Sequence, residues 1–183
     1  MTMTRLKKGL IHIYTGKGKG KTTASLGLAL RAVSSGLKVC MFQFLKKHGT
    51  SSDGWLEFPN FRIVCLEQEH PMFLGKVKAG NVNSERKLRD KIKKDLTKIK
   101  RVMKTGRYDV IILDEILNCV SGKFLGESEV LGLIKTKPAA LELVLTGRGA
   151  TPGLVSVSDY VTRLDKVKHP FDKGQRARKG IEY

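Results

Sequence analysis

Three places in this 183-residue chain combine residue types that handle a polyphosphate. The first is the run Tyr14-Thr15-Gly16-Lys17-Gly18-Lys19-Gly20-Lys21-Thr22-Thr23. Glycines let backbone N–H groups turn inward without a Cβ clash, and successive inward amides cradle an anion. Lys21 is placed to reach outer phosphates, and the Thr22 hydroxyl to ligate Mg²⁺. A helix opening near Lys21 would point its positive dipole end at the same anion. The run departs from G-x-x-x-x-G-K-[ST] at one position, since Thr15 stands where the first glycine is expected. An apolar segment before it and a helical pattern after it support the assignment. A plain glycine-rich basic turn is the alternative.

The second place is Val110-Ile111-Ile112-Leu113-Asp114-Glu115, four apolar residues and then two acids. A strand buried on both faces would deliver these carboxylates beside the phosphate loop. Asp114 can hold Mg²⁺, and Glu115 can activate a water or orient a substrate hydroxyl. The third is Thr146-Gly147-Arg148-Gly149, where an arginine between glycines can approach an anion closely. The expected nucleotide set is Thr15, Gly16, Lys17, Gly18, Lys19, Gly20, Lys21, Thr22, Thr23, Arg31 and Arg148. Lys21, Asp114 and Glu115 are the expected catalytic groups, with Thr22 and Asp114 on the metal. For Arg31, late in the first helix, and for Arg148, an exposed surface position is the alternative. His12 alternates into a buried strand and reads as a hydrogen-bonded core histidine.

The elements that must position these groups follow from periodicity. Apolar runs at 9–14, 37–44, 61–66, 108–114, 141–146 and 160–164 read as strands. Segments 22–35, 86–106 and 127–135 read as helices, and Thr151-Pro152 as a helix start. Gly36 follows the first helix where a left-handed residue is needed. Residues 46–60 and 67–83 read as loops. Strands alternating with helices imply an α/β fold, a mostly parallel central sheet with helices on both faces. Ligands in such sheets sit beyond the carboxyl ends of the strands, where all three motifs lie. The chain length suits one domain, 1–183, with 166–183 a basic tail.

Net charge is +18, from 35 basic and 17 acidic residues, and it is unevenly spread. Between Arg86 and Arg107 lie 11 basic residues against Asp90 and Asp95. Leu88, Ile92, Leu96, Ile99 and Met103 recur there every three or four residues, giving a helix with one buried stripe and a basic outer face. That face is either solvated or attracts nucleic acid or an acidic partner. No aromatic residue is interleaved from Asn81 to Gly106, so no platform for stacked bases is present. The three cysteines, Cys40, Cys65 and Cys119, form no metal-like pair and no even disulfide set. No apolar run approaches a membrane span, and the basic start lacks a signal-peptide core, so a cytoplasmic setting is expected.

The ordered motifs resemble the corrinoid adenosyltransferases of the CobA/BtuR type. That family also replaces the first glycine of the loop. The resemblance continues at Gln43-Phe44, Leu113-Asp114-Glu115 and Thr146-Gly147-Arg148-Gly149. It is strongest in the tail, where Lys168 to Tyr183 fits the family pattern K-H-x-F-D-x-G-x-x-A-x-x-G-I-[DE]-[YF]. It implies a RecA-like P-loop fold, a homodimer and a flavoprotein-type electron donor. It also implies a reaction in which ATP gives its 5′-deoxyadenosyl group to Co(I) of a corrinoid and releases triphosphate. ATP would lie with its phosphates reversed in the loop, making C5′ the reacting atom. Many members carry a Phe-x-Trp in the middle loop that displaces cobalt's lower ligand; here the tryptophan is absent, and Phe73 or Phe58 is the available substitute, with Phe73 taken as the corrinoid contact. Two other classes fit the residues alone: a phosphotransferase or ATPase using Glu115 to activate a hydroxyl or water, and a basic nucleic-acid-binding RecA-like module.

Overall fold

The computed structural model describes residues 6–47, 59–68 and 82–181. Their central feature is a six-stranded sheet in the order β3-β2-β4-β5-β1-β6, with every paired neighbour parallel. The strands are β1 Ile11–Thr15, β2 Val39–Gln43, β3 Phe61–Cys65, β4 Val110–Asp114, β5 Glu142–Thr146 and β6 Tyr160–Arg163. The helices are α1 Lys21–Ser34, α2 Val82–Lys104, α3 Ile116–Ser121, α4 Glu127–Lys135 and α5 Pro152–Ser156.

Every residue of β2 and β4 is buried, because helices cover both faces there. On one face Ala29 and Ala32 of α1 pack on Val39, Met41, Val110, Ile112 and Val144. The two alanines bring the α1 backbone close to the sheet. On the other face α2, α3, α4 and α5 share one core with Cys40, Phe42, Ile111, Leu113, Leu143 and Leu145. The alternation of β4, with Val110 and Ile112 on one side and Ile111 and Leu113 on the other, therefore feeds two cores at once.

The stripe of α2 behaves as its period demands. Ile92, Leu96, Ile99 and Met103 are buried, and Leu88 is partly so. The helix begins at Val82, four residues before its expected start and inside the segment expected as loop. Gly36 closes α1 with φ +83°, and Thr151 caps α5 by accepting from the Leu154 amide at 3.4 Å.

Two expectations need correction. Helix α3 is not among the expected helices: Ile116–Ser121 follows Glu115 directly, and six residues are too few for its apolar period to stand out. His12 is not a core residue. Its side chain, 12% exposed, is hydrogen-bonded as expected, through Nε2 to Glu142 Oε1, but it lies outside both cores beside the exposed edge strand β6, with its ring 4.7 Å from that of Tyr160. Among the described residues no helix is long and apolar enough to cross a membrane. Cys40 and Cys119 are buried free thiols, and burial pushes Cys40 up to about 11.

Candidate active site

The three motifs meet at the carboxyl ends of β1, β4 and β5. The glycine loop leaves β1 at Thr15 and enters α1 at Lys21. Gly16 and Gly20 hold φ +107° and +112°, values that an L side chain resists. Gly20 is the N-cap of α1 and supplies no side-chain partner, and the first turn holds no acid. The orphan amides of that turn are left for an anion.

Gly16 and Gly18 also serve the scaffold. The Gly18 amide donates to Leu164 O at 2.7 Å, and the Leu164 amide to Thr15 O at 2.8 Å. A Cβ at Gly16 would lie 2.3 Å from Leu164 O, and one at Gly18 would lie 2.7 Å from Asp165 O. The loop is thus zipped to the backbone that leaves β6. Glycine is needed on that side for close approach as well as on the phosphate side.

Lys21 is buried, and its Nζ donates to Gly18 O at 2.7 Å, folding its ammonium back under the loop. Burial pushes it below the usual lysine value, with Arg148 acting the same way and Glu115 and Asp114 opposing. Lys17, Lys19 and Thr23 are exposed around the loop.

Asp114 is fully buried at the end of β4. Its Oδ1 accepts from the Thr22 hydroxyl at 2.8 Å and from the Thr146 hydroxyl at 2.7 Å. Its Oδ2 makes no hydrogen bond and stands 3.0 Å from the Lys46 ammonium, an ion pair off the hydrogen-bonding direction. One carboxylate therefore joins the glycine loop, β5 and the segment after β2.

Glu115 is held in the left-handed region at φ +67°, an unusual conformation for a side-chain-bearing residue. Its amide donates to Thr146 Oγ1 at 3.0 Å, and its Oε2 accepts from Asn118 Nδ2. Burial, then the neighbouring Asp114, pushes its carboxyl above the usual range, against the pull of Lys46, Lys21 and Arg148. Asn118 Oδ1 in turn accepts from the Arg148 amide at 2.5 Å. A Cβ on Gly147, at φ +134°, would lie 2.9 Å from the Asn118 amide and Oδ1. This junction fixes the backbone of the Arg148 turn, while the Arg148 side chain is exposed and within electrostatic reach of Lys21 and Glu115.

Arg31 is not brought to the loop. It lies exposed in the last turn of α1, ten residues and so roughly 15 Å along the axis from Lys21. Phe73 and Phe58 lie outside the described residues. Lys46, Asn118 and Thr146 belong to the site and were not among the expected site residues. Thr146 opens the quoted Thr-Gly-Arg-Gly motif and so carried a usable signal, whereas Asn118 is recognisable only through its contacts with Glu115 and the Arg148 amide.

Residues 7–183 match the family model of the ATP:corrinoid adenosyltransferases BtuR/CobO/CobP. The chain belongs to that family. A corrinoid adenosyltransferase of Escherichia coli K12 is 33% identical over 181 residues, covering 97% of this chain and 87% of that protein. One from a Sinorhizobium species is 32% identical over 180 residues, covering 97% and 81%. One from Pseudomonas aeruginosa is 30% identical over 183 residues, covering 100% and 88%. The six-stranded parallel sheet with its glycine loop accords with the RecA-like P-loop fold expected for this family.

Proposed function

We propose that this member of the family transfers the 5′-deoxyadenosyl group of ATP to Co(I) of a corrinoid and releases triphosphate. The observation that carries the reading is the Thr22–Asp114 bond of 2.8 Å, which locks the glycine loop to the acidic strand end within a chain matched to the family from residue 7 to 183.

The chemistry follows from the nucleophile. Reduced cobalt attacks C5′ in line, so the bond that breaks is C5′–O and the leaving group is the whole triphosphate. No protein nucleophile or general base is required. What the protein supplies is charge against a departing polyanion. Lys21, the first-turn amides of α1, the exposed Lys17 and Lys19 of the loop and Arg148 of the β5 turn would supply it. Such preorganised donors act most strongly where water is excluded. Glu115 is held by Asn118 and orients rather than attacks.

Thr22 Oγ1 and Asp114 Oδ2 are hard oxygen donors, one of them a buried carboxylate oxygen without a hydrogen bond, which suits Mg²⁺. These two residues would hold it, and when bound it would neutralise charge on the phosphates. Thr15, Gly16, Gly18, Gly20 and Thr23 complete the proposed nucleotide site. Arg31 is left out. A homodimer, a flavoprotein-type electron donor and a cytoplasmic setting are part of the same proposal, supported by family membership.

The test is incubation with MgATP and chemically reduced cobalamin, followed by absorbance and phosphorus NMR. Intact triphosphate that appears only with reduced corrinoid, together with a new cobalt–carbon chromophore, is the expected result. Steady ADP formation without corrinoid, abolished by Glu115→Gln, would overturn it in favour of an ATPase.

A further inference from the structure

Lys46 is a charged group at these strand ends to which the proposed phosphate binding by the loop assigns no part, and it is paired with Asp114. Its position is fixed from both sides. β2 pairs with β4 so that Gln43 lies opposite Asp114, and the Phe44 amide donates to Asp114 O at 2.9 Å. The Lys46 carbonyl accepts from the Gln68 amide at 3.0 Å and from Cys65 Sγ at 3.3 Å. From that anchored backbone the side chain, 19% exposed, reaches inward to the fully buried Asp114.

Asp114 Oδ1 is already engaged by two hydroxyls. Oδ2 is therefore the oxygen with lone pairs to spare, and Lys46 Nζ stands 3.0 Å from it. An ammonium and a divalent cation cannot share that oxygen in a buried site without strong mutual repulsion. A buried carboxylate left with neither would be costly as well. One cation must leave as the other arrives. A lysine suits such an exchange, because its point charge rides on a flexible four-carbon stem with no fixed fork to break.

We propose that Lys46 is an exchangeable counter-ion: it holds Asp114 while the site lacks metal and nucleotide, and passes its ammonium to the polyphosphate when a divalent cation takes Oδ2. This rests on the reading of Thr22 and Asp114 as the metal-holding pair. It makes Lys46 a further contact to the leaving triphosphate, contributed by the end of β2.

The test uses Mn²⁺ as the probe, followed by electron paramagnetic resonance, with the full chain and its Lys46→Met variant. Without nucleotide, the variant should bind Mn²⁺ roughly tenfold more tightly, since a competing cation is gone. With Mg²⁺ present, it should bind ATP roughly tenfold more weakly, since a phosphate contact is gone. A purely structural lysine would weaken both together; that result, or unchanged Mn²⁺ affinity, overturns the proposal. A second measurement needs no variant. Amine acylation of the unmodified protein, read by mass spectrometry, should rise at Lys46 with Mn²⁺ alone and fall with MgATP. Equal labelling in all three states overturns the exchange. Neither arm contains corrinoid. Absence of adenosyl transfer would therefore sink the reaction while leaving the exchange to stand or fall on its own.

Discussion

Two stretches of this protein are rich in lysine, and they are built in opposite ways. In the glycine loop Lys21 is 8% exposed, bonded to the carbonyl of Gly18, and depressed in pKa by burial. Along α2 the lysines stand in water: Lys93 is 55% exposed and Lys98 is 73% exposed, with partners at 3.5 Å in each case. The loop carries three lysines and α2 with its flank carries far more charge, yet only the loop aims backbone donors and a buried ammonium at one point. Charge density draws anions to a surface; convergence in a low-dielectric pocket holds one in register. The contrast is a claim about energy, and it can be broken.

The largest effect should come from Lys21→Ala. On the proposed reading it deletes a cation that faces the departing charge, and it should lower the transfer rate roughly 10²- to 10³-fold, as loss of one preorganised donor does. MgATP affinity in calorimetry should fall with it. Some thermal stability should be lost as well, because Gly18 is buried and its carbonyl loses the ammonium that donates to it. Unchanged nucleotide affinity would remove the glycine loop from the site.

Gly16→Ala should fail differently. Its φ of +107° and the Leu164 carbonyl 2.3 Å from the new Cβ strain the loop itself. A loss of roughly 2–3 kcal/mol in denaturant unfolding is expected, with nucleotide binding lost alongside. Gly27 is the internal control, since a Cβ there meets nothing within 4 Å. Gly27→Ala in the middle of α1 should stabilise by roughly 0.5–1 kcal/mol. Equal costs at the two glycines would mean that the zipper to Leu164 carries no weight.

These variants also mark what the sequence could disclose. The loop was legible because it is local: its strand, glycines, lysine and threonine are contiguous. So was the pairing of β4 with acids at its end, because a fully apolar strand followed by Asp-Glu is a pattern along one segment. Lys46 and Asn118 were not legible as site residues. Lys46 reaches Asp114 only through the β2–β4 register, across 68 residues of chain, and Asn118 meets Arg148 thirty residues away. Helix α3 escaped because six residues following directly on a strand end are too few for a helical period to stand out. The second reason for Gly16 and Gly18, the backbone after β6, is likewise a contact that no spacing announces. Arg31 shows the converse, a charge on the same helix that the structure leaves exposed in its last turn, as the surface alternative had it.

A smaller effect is expected at Glu115. Its carboxyl lies above the usual value of 4.5, first through burial and then through Asp114. Below the unfolded-state pKa both states carry the proton, and Glu115 adds no penalty. As pH rises through that value toward the higher folded one, ionisation progressively penalises the folded state. Glu115→Gln, which can still accept from Asn118, should therefore raise the melting temperature at neutral pH. The gain should vanish in acid below the ordinary carboxylate range. A stabilisation independent of pH would point to relief of something other than charge. Transfer should slow less than in Lys21→Ala if, as proposed, Glu115 orients while Lys21 faces the leaving group.

The smallest effect should come from the most conspicuous charge. Lys87, Lys94 and Arg101 are exposed and recur every seven residues, so they form one stripe on the outer face of α2, opposite Ile92, Leu96, Ile99 and Met103. Lys98 is better left alone, because it pairs with the buried Asp95 at 3.5 Å. Changing the three stripe residues together to Glu removes six units of positive charge without touching the core or any group at the strand ends. Exposed substitutions of this kind usually move stability by less than about 0.5 kcal/mol each. At physiological salt the screening length is about 8 Å, so little of the change should be felt by ATP in the loop. Adenosyl transfer within about twofold of the unaltered protein is expected on those grounds. Two outcomes would make α2 more than a solvated scaffold. A steep loss of transfer that salt restores would mean that α2 steers substrate from a distance. Tight, sequence-tolerant DNA binding in the unaltered protein, lost in the triple variant, would mean that the basic face is a second site, with a log-affinity that falls linearly in log salt.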